Sequence, residues 1–216
     1  MFDLDGVLID SELVWDRARR EVVEQAGGRW REGATEAMMG MSSPEWSRFM
    51  REQLSVPLPA AEIDDRVIAR LLADYAAELP LMPGASAAVR RLAAVWPLGL
   101  ASSSNRAVID AVLADAGLMG CFRVTVSGEE VARGKPAPDV YMLAAAALEV
   151  EPSQAVAVED SSTGLRAAAA AGMVVIAVPN RRFPPDADAL ALADEVIASL
   201  DELAVEGIML AGNRDP

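Results

Sequence analysis

Histidine is absent from all 216 residues of the chain, and cysteine occurs once, at Cys121. The first absence excludes Ser-His and Cys-His catalytic pairs, histidine-ligated zinc and the HExxH metalloprotease helix. The single cysteine excludes both an intrachain disulfide and a zinc cluster built from cysteines. Lysine is scarce as well, because Lys135 is the only lysine among 19 basic residues. Any catalysis must therefore use carboxylates, hydroxyls, arginines and this one lysine.

A basic surface is also lacking. The formal net charge is −14 at pH 7 and the isoelectric point is about 4.4, which argues against binding to nucleic acid or to anionic membranes. The longest apolar run, at residues 167–178, is about half as long as a bilayer requires, and no basic start precedes an apolar leader. We expect a cytoplasmic monomer, whose 52% of apolar residues suffice for a core.

Two patterns divide the chain. Residues 12–80 are charged and follow helical periodicity, with a first helix that stops before Gly27. From residue 82 onward, short apolar strands alternate with helices, which predicts a parallel sheet covered on both faces. Strands are predicted at residues 1–4, 96–101, 122–126, 155–158 and 173–178, and later helices at 64–78, 105–116, 139–148 and 162–171. We therefore expect an α/β core of residues 1–11 and 81–216, interrupted by a helical domain of residues 12–80.

Acidic pairs follow two of the predicted strands. Asp3 and Asp5 are two residues apart, so an extended backbone directs both carboxylates to the same side. Because ligands of parallel sheets bind at the carboxyl ends of strands, this pair is a candidate site for a hard cation such as Mg²⁺. Glu159 and Asp160 form a second candidate pair after a later strand. Acidic turns and helix starts would give the same patterns.

Hydroxyls and the single lysine follow the other strands. Residues 102–105 read Ser-Ser-Ser-Asn before a helix, where free backbone N–H groups can hold phosphate; ordinary N-capping is the competing explanation. Lys135 stands in a proline-rich loop, Gly-Lys-Pro-Ala-Pro-Asp, at residues 134–139. A need for a compact ammonium that touches two anions would explain this lysine, although an exposed surface lysine is the common alternative. Four carboxylates in one cleft would raise one another's pKa values, so we expect Mg²⁺ to compensate them.

The four segments together resemble the haloacid dehalogenase superfamily, in the branch of β-phosphoglucomutase and small sugar-phosphate phosphatases. The matching segments are DLDGVLIDSE at residues 3–12, ASSSN at 101–105, GKPAPD at 134–139 and VEDSSTG at 158–164. They occur in the family's order and span the core. The resemblance implies a Rossmann-like parallel sheet with an inserted helical-bundle cap, at the position where we place the helical domain.

The resemblance also implies a role for each motif residue. Asp3 would be the nucleophile that becomes an aspartyl phosphate, and Asp5 would be the general acid and base. Ser102 and the backbone N–H of Ser103 would hold the phosphoryl oxygens. Lys135 would bridge Asp3 and the phosphate. Mg²⁺ would be bound by Asp3, the backbone carbonyl of Asp5, Glu159 and Asp160.

We therefore expect a Mg²⁺-dependent phosphatase of small sugar or polyol phosphate monoesters. True dehalogenases of the superfamily lack the second aspartate of the first motif, which is present here as Asp5. A β-phosphoglucomutase-type phosphomutase is the alternative, but Ser43 stands where the mutase anchors a second phosphate with arginine, and Trp15 stands where the mutase has a cap histidine. The segment from Asp10 to Trp15 is closer to hexitol-phosphate and 2-deoxyglucose-6-phosphate phosphatases. Candidate substrate contacts of the cap and its surroundings are Glu12, Trp15, Met41, Ser42 and Asn105.

Three further points complete the expectations from the sequence. Cap packing alone would account equally well for Trp15 and Met41. A non-catalytic phosphoryl-binding protein on the same fold is the least favoured alternative, because no motif residue is missing; the expected partner is a small phosphorylated metabolite. Only Met1 and Phe2 precede Asp3, so we expect Met1 to be an internal residue of a longer native chain.

Overall fold

The computed structural model describes residues 1–204, in which a helical region follows a short N-terminal segment. Its helices are α1 (Glu12–Gln25), α2 (Ala34–Met38), α3 (Ser43–Gln53) and α4 (Ala60–Ala77). α1 and α4 correspond to the two predicted helices of this region, whereas α2 and α3 were not predicted. α3 begins with a capping box, in which the Ser42 N–H donates to the Glu45 carboxylate at 2.8 Å. Trp15 of α1 and Trp46 of α3 meet edge to face, with ring centroids 6.0 Å apart.

The rest of the described chain forms a parallel sheet and the helices that cover it. Its strands are β1 (Leu98–Ser102), β2 (Phe122–Ser127), β3 (Val156–Glu159), β4 (Val174–Ala177) and β5 (Glu195–Val196). β1 pairs with β2, β3 with β4, and β4 with β5, always in parallel. The first four strands lie within two residues of their predicted bounds; β5 was not predicted.

The N-terminal segment joins the two halves of this sheet. The strand predicted at residues 1–4 is shorter in the structure, where Phe2 alone forms β-bridges, to Leu100 of β1 and to Val158 of β3. The Phe2 N–H donates to a carbonyl of β1 at 2.8 Å, and the Asp3 N–H donates to Val158 O at 3.1 Å. The segment therefore lies between β1 and β3 and carries Asp3 to the carboxyl edge of the sheet.

Helices cover both faces of the sheet, as predicted. They are α5 (Ala85–Ala93), α6 (Arg106–Asp115), α7 (Asp139–Leu148), α8 (Ser162–Ala170) and α9 (Ala187–Leu190). Strand side chains alternate between two apolar clusters: Leu100 and Val158 pack with α5 and α6, whereas Ala101 and Ala157 pack with α7 and α8. Burial on both sides explains why β1 and β3 read as short apolar runs. Within residues 1–204, no helix combines the length and apolar character that a membrane span requires.

Candidate active site

The carboxyl edge of the sheet brings together a buried lysine and two buried carboxylates. Asp3 follows the bridge residue Phe2 in the N-terminal segment, Lys135 lies in the loop before α7, and Glu159 ends β3. The Lys135 Nζ donates to Asp3 Oδ1 at 2.7 Å and to Glu159 Oε1 at 2.5 Å, and only 3% of its side chain is exposed. Burial alone would lower the pKa of Lys135, but the two carboxylates raise it above its ordinary value. The lysine is therefore a charged, buried bridge and not a surface residue.

Asp160 adds a third carboxylate, and within residues 1–204 one of its oxygens has no hydrogen-bond donor. Asp3, Glu159 and Asp160 each present an oxygen within 4.8 Å of the others. Asp160 Oδ1 is buried and accepts no hydrogen bond from any residue in the range 1–204. Burial, followed by repulsion from its acidic neighbours, raises the pKa of Asp160 well above its ordinary value, and burial raises that of Asp3 to about 8 despite the nearby ammonium. A divalent cation would satisfy the orphan oxygen and offset the repulsion, and the donors are the hard oxygens that Mg²⁺ prefers.

Two glycines allow the acidic side chains to pack this closely. Gly6 has a φ of +78°, and a Cβ atom there would lie 2.0 Å from Asp160 Oδ2. A Cβ atom at Gly164 would lie 2.0 Å from the Glu159 carboxylate. Any larger residue at either position would have to displace a carboxylate. The need for glycine at position 164 is visible only from this packing.

Glu159 is hydrogen-bonded through both of its oxygens. Oε1 accepts from Lys135 and from the Tyr141 hydroxyl, the latter at 2.7 Å. Oε2 accepts from the backbone N–H groups of Asp160 at 3.1 Å and Ser161 at 3.4 Å. Tyr141 is fully buried on α7, and its ring centroid lies 4.9 Å from Lys135 Nζ. Sequence analysis missed Tyr141, because an apolar helix carries no local signal that one hydroxyl faces the site.

The serine turn after β1 connects to the second aspartate of the first motif. Ser102 is buried, and its Oγ accepts from the Ser104 N–H at 3.0 Å. The Ser104 Oγ donates to Asp5 Oδ2 at 2.6 Å, and Trp15 Nε1 donates to Asp5 Oδ1 at 2.8 Å. Both oxygens of Asp5 are therefore held, one from the sheet edge and one from α1. Ser103 and Ser104 line the cavity beside these groups, whereas Ser102 is not part of the lining that residues 1–204 form.

Comparison with known proteins places this arrangement in a family. The family model of the haloacid dehalogenase-like hydrolases matches residues 1–172. The chain belongs to this family. The match confirms the predicted family and, with the parallel sheet described above, the predicted α/β fold class.

Relatives of known activity cover nearly the whole chain. Hexitol phosphatase B of Escherichia coli (strain K12) is 35% identical over 215 residues, which are 97% of this chain and 95% of that protein. The bifunctional riboflavin kinase/FMN phosphatase of Arabidopsis thaliana is 32% identical over 95% of this chain, which spans 54% of that protein. A crystal structure of CbbY from Rhodobacter sphaeroides in complex with phosphate is 33% identical, with a TM-score of 0.86 over 96% of this chain and 97% of CbbY. A second CbbY structure, of a mutant, contains xylulose-(1,5)bisphosphate.

In this haloacid dehalogenase-like hydrolase, the helical region closes a cavity over the acidic cluster. The cavity is lined from both sides, by Asp3 and Lys135 of the sheet edge and by residues of the helical region. Three of the predicted substrate contacts, Glu12, Trp15 and Met41, are part of this lining. Burial, with a further contribution from nearby carboxylates, raises the pKa of Glu12 to about 7.

The other two predicted contacts, Ser42 and Asn105, lie outside the lining that the described residues form. Ser42 caps α3, as described above. Asn105 Nδ2 donates to Glu129 Oε1 at 3.0 Å, and Ser43 Oγ donates to Asn105 Oδ1 at 2.5 Å. The bond from Ser43 connects α3 to the start of α6. The lining residues that sequence analysis missed include Arg19, Trp46 and Thr163. Arg19 could have been predicted, because it lies four residues after Trp15 on α1 and so shares the same helix face.

Proposed function

We propose that the chain is a Mg²⁺-dependent phosphatase of small sugar or polyol phosphate monoesters. The observation that carries the proposal is the buried contact between Lys135 and Asp3, next to the orphan oxygen of Asp160 and open to a cavity. A carboxylate nucleophile, an ammonium and a cation site at one point are what phosphoryl transfer through a covalent intermediate requires. The similarity to hexitol phosphatase B supports a sugar or polyol phosphate as the substrate.

Asp3 is the proposed nucleophile and Asp5 the proposed proton carrier. A carboxylate oxygen of Asp3 attacks phosphorus, and the bond from phosphorus to the substrate oxygen breaks as the aspartyl phosphate forms. The protonated Asp5 carboxyl gives its proton to the departing alkoxide. Asp5 then takes a proton from the water that attacks the aspartyl phosphate, so inorganic phosphate leaves and both side chains return to their starting states.

The remaining motif residues would stabilise the negative charge of the phosphoryl group. Lys135 holds Asp3 in place and lies where its ammonium can also reach a phosphoryl oxygen. The hydroxyl of Ser102 and the N–H of Ser103 are the proposed donors to the other phosphoryl oxygens. Mg²⁺, held by Asp3, Asp160, Glu159 and the backbone carbonyl of Asp5, would supply the positive charge that lets an acidic protein bind an anion.

Residues 12–80 are proposed to act as a mobile cap over the core formed by residues 1–11 and 81–216. The two connections between these parts run side by side, because Ile9 and Leu81 form an antiparallel bridge. Motion about this double connection would admit the substrate and release the products. Because the Trp15 indole of α1 donates to Asp5, motion of the cap would also change the contacts of the proposed general acid.

A phosphomutase is the second candidate, because the related CbbY was crystallised with a sugar bisphosphate. A mutase has to retain a bisphosphate intermediate, and the phosphomutases that the chain resembles hold its second phosphate with an arginine at the position of Ser43. Ser43 supplies no charge, and its hydroxyl is bonded to Asn105. Hydrolysis is therefore the favoured outcome of the aspartyl phosphate.

The test measures phosphate release from a panel of sugar and polyol phosphates, with Mg²⁺ and with EDTA. Release should require the metal, and Asp3→Asn should lower it by at least about a thousandfold. Asp115→Asn is the matched control, because Asp115 is exposed at the end of α6 and should leave release unchanged. Full metal-dependent activity in Asp3→Asn would show that the nucleophile is wrongly assigned.

Two other outcomes would favour the alternatives. If a phosphomonoester binds but none is hydrolysed under any condition, the chain is a phosphoryl-binding protein. If β-glucose 1-phosphate with a trace of bisphosphate gives glucose 6-phosphate faster than free phosphate, the chain is a mutase.

A further inference from the structure

Arg19 is a buried cation on α1 that stacks against two tryptophans. Its Cζ lies 4.6 Å from the centroid of the Trp15 ring and 5.3 Å from that of the Trp46 ring. Only 6% of the residue is exposed. Stacking occupies the flat faces of a guanidinium, but its N–H donors lie in its plane and still need acceptors.

Those donors have no acceptor in the described chain. Across residues 1–204, the buried Arg19 Nε has no hydrogen-bond partner, and the guanidinium takes part in no ion pair. Neighbouring arginines of α1 differ: Arg17 pairs with Asp74 at 3.2 Å, and Arg20 with Asp16 at 3.2 Å. Burial lowers the pKa of Arg19 to about 10, so the side chain is still charged at neutral pH. A buried charge without a hydrogen-bonded counter-charge is unfavourable, and a bound anion would relieve the cost.

Glu12 is the carboxylate with the largest electrostatic effect on Arg19, yet the two form no ion pair. Because the pKa of Glu12 is raised to about 7 by burial, a substantial fraction of this carboxyl is uncharged at neutral pH. Glu12 therefore neutralises the guanidinium only in part, and the other nearby carboxylates, Asp5 and Asp16, form no ion pair with it within residues 1–204.

The position of Arg19 separates it from the reacting phosphate. Arg19 lines the same cavity as Asp3 and Lys135. The Trp15 indole lies between Arg19 and Asp5, because its ring packs on the guanidinium while its Nε1 donates to Asp5 Oδ1. The Trp15 side chain thus separates the guanidinium from the general acid. Arg19 would therefore meet a part of a bound substrate that is distant from the transferred phosphate.

We propose that Arg19 binds an anionic group of the substrate other than the transferred phosphate, namely a carboxylate or a second phosphate. The inference rests on the proposed phosphatase function and narrows its substrates to sugar or polyol phosphates that are acidic at both ends. The planar N–H groups of a guanidinium match the paired oxygens of either anion. Trp15 and Trp46 hold that plane in one orientation, so little conformational freedom is lost on binding.

The test compares substrates that differ only at the far end. Sorbitol 6-phosphate ends in a neutral CH₂OH group, 6-phosphogluconate ends in a carboxylate at the same carbon, and sorbitol 1,6-bisphosphate ends in a second phosphate. We expect wild-type kcat/KM to be higher for the two doubly acidic substrates. Arg19→Met should lower the ratio of kcat/KM for 6-phosphogluconate to that for sorbitol 6-phosphate by about tenfold or more, mainly through KM.

Two further variants keep the test decisive. Arg19→Lys retains a charge but loses the stacked plane, so it should lose part of the preference even if Arg19→Met folds poorly. Arg17→Gln changes an exposed arginine of the same helix and should leave the ratio unaltered. Hydrolysis with an equal loss of kcat/KM for every substrate, or with an unchanged ratio, would overturn the role of Arg19 alone. Absence of hydrolysis for all three substrates and for the wider panel would overturn the phosphatase proposal together with it.

Discussion

Replacing Tyr141 with phenylalanine removes a single hydroxyl from the buried cluster and tests how that cluster is held. The hydroxyl donates to Glu159 Oε1 at 2.7 Å, and because Tyr141 is fully buried, water cannot take its place. A hydrogen bond to a charged group contributes about 1.5–3 kcal/mol. One kcal/mol shifts the Tm of a chain of this size by about 2–4 °C, so Tyr141→Phe should lower Tm by about 3–12 °C.

The chain contains a matched control, because its other tyrosine has the opposite environment. Tyr75 is also buried, but its hydroxyl lies beside the neutral Ser11 hydroxyl and makes no hydrogen bond to a charged group within residues 1–204. Tyr75→Phe should therefore leave stability unchanged or raise it. Urea unfolding and thermal melts of both variants, without Mg²⁺, give the comparison. Equal behaviour of the two variants would refute the claim that Tyr141 stabilises Glu159.

The remaining predictions concern a glycine and a glutamate. Gly6→Ala would place a Cβ atom 2.0 Å from Asp160 Oδ2, so it should abolish stabilisation by Mg²⁺, measured as a shift in Tm. Gly27→Ala also introduces a side chain at positive φ (+77°) but has open space around it, so it should cost only about 1 kcal/mol and leave that Tm shift intact. Burial raises the pKa of Glu12 from 4.5 to about 7, so in this pH range the folded state holds a proton that the unfolded chain releases. Stability should therefore fall as pH rises from 4.5 to 7, and Glu12→Gln should flatten that slope in urea titrations at several pH values; an unchanged slope would show that other groups cause it.

Long apolar segments made most of the sheet and its helices predictable. α7 has its predicted bounds, and β1 to β4 lie within two residues of theirs. The elements that were missed are short or depend on neighbours. β5 has two residues and forms only beside β4, and α3 starts from a capping box that the apolar pattern does not show. Short elements gain most of their stability from tertiary contacts, which a local pattern cannot contain.

The candidate site was predictable to the extent that it consists of charged or hydroxyl residues after strands. Asp3, Lys135, Glu159 and Asp160 were found in this way, and the structure places them together. Tyr141 lies in an apolar helix, so periodicity assigned it only to the core. The distinction between cavity-lining and structural polar residues, such as Asn105, also required the coordinates.

The available chemical groups, their order along the chain and the alternation of strand and helix are local properties, so the sequence alone is enough to predict them. The packing of distant segments brings Lys135 to a carboxylate 132 residues away, and within residues 1–204 it leaves Asp160 Oδ1 without a donor and the buried Arg19 Nε without an acceptor. Such facts depend on how helices and strands pack, and small changes in packing decide whether two distant polar groups meet or stay apart.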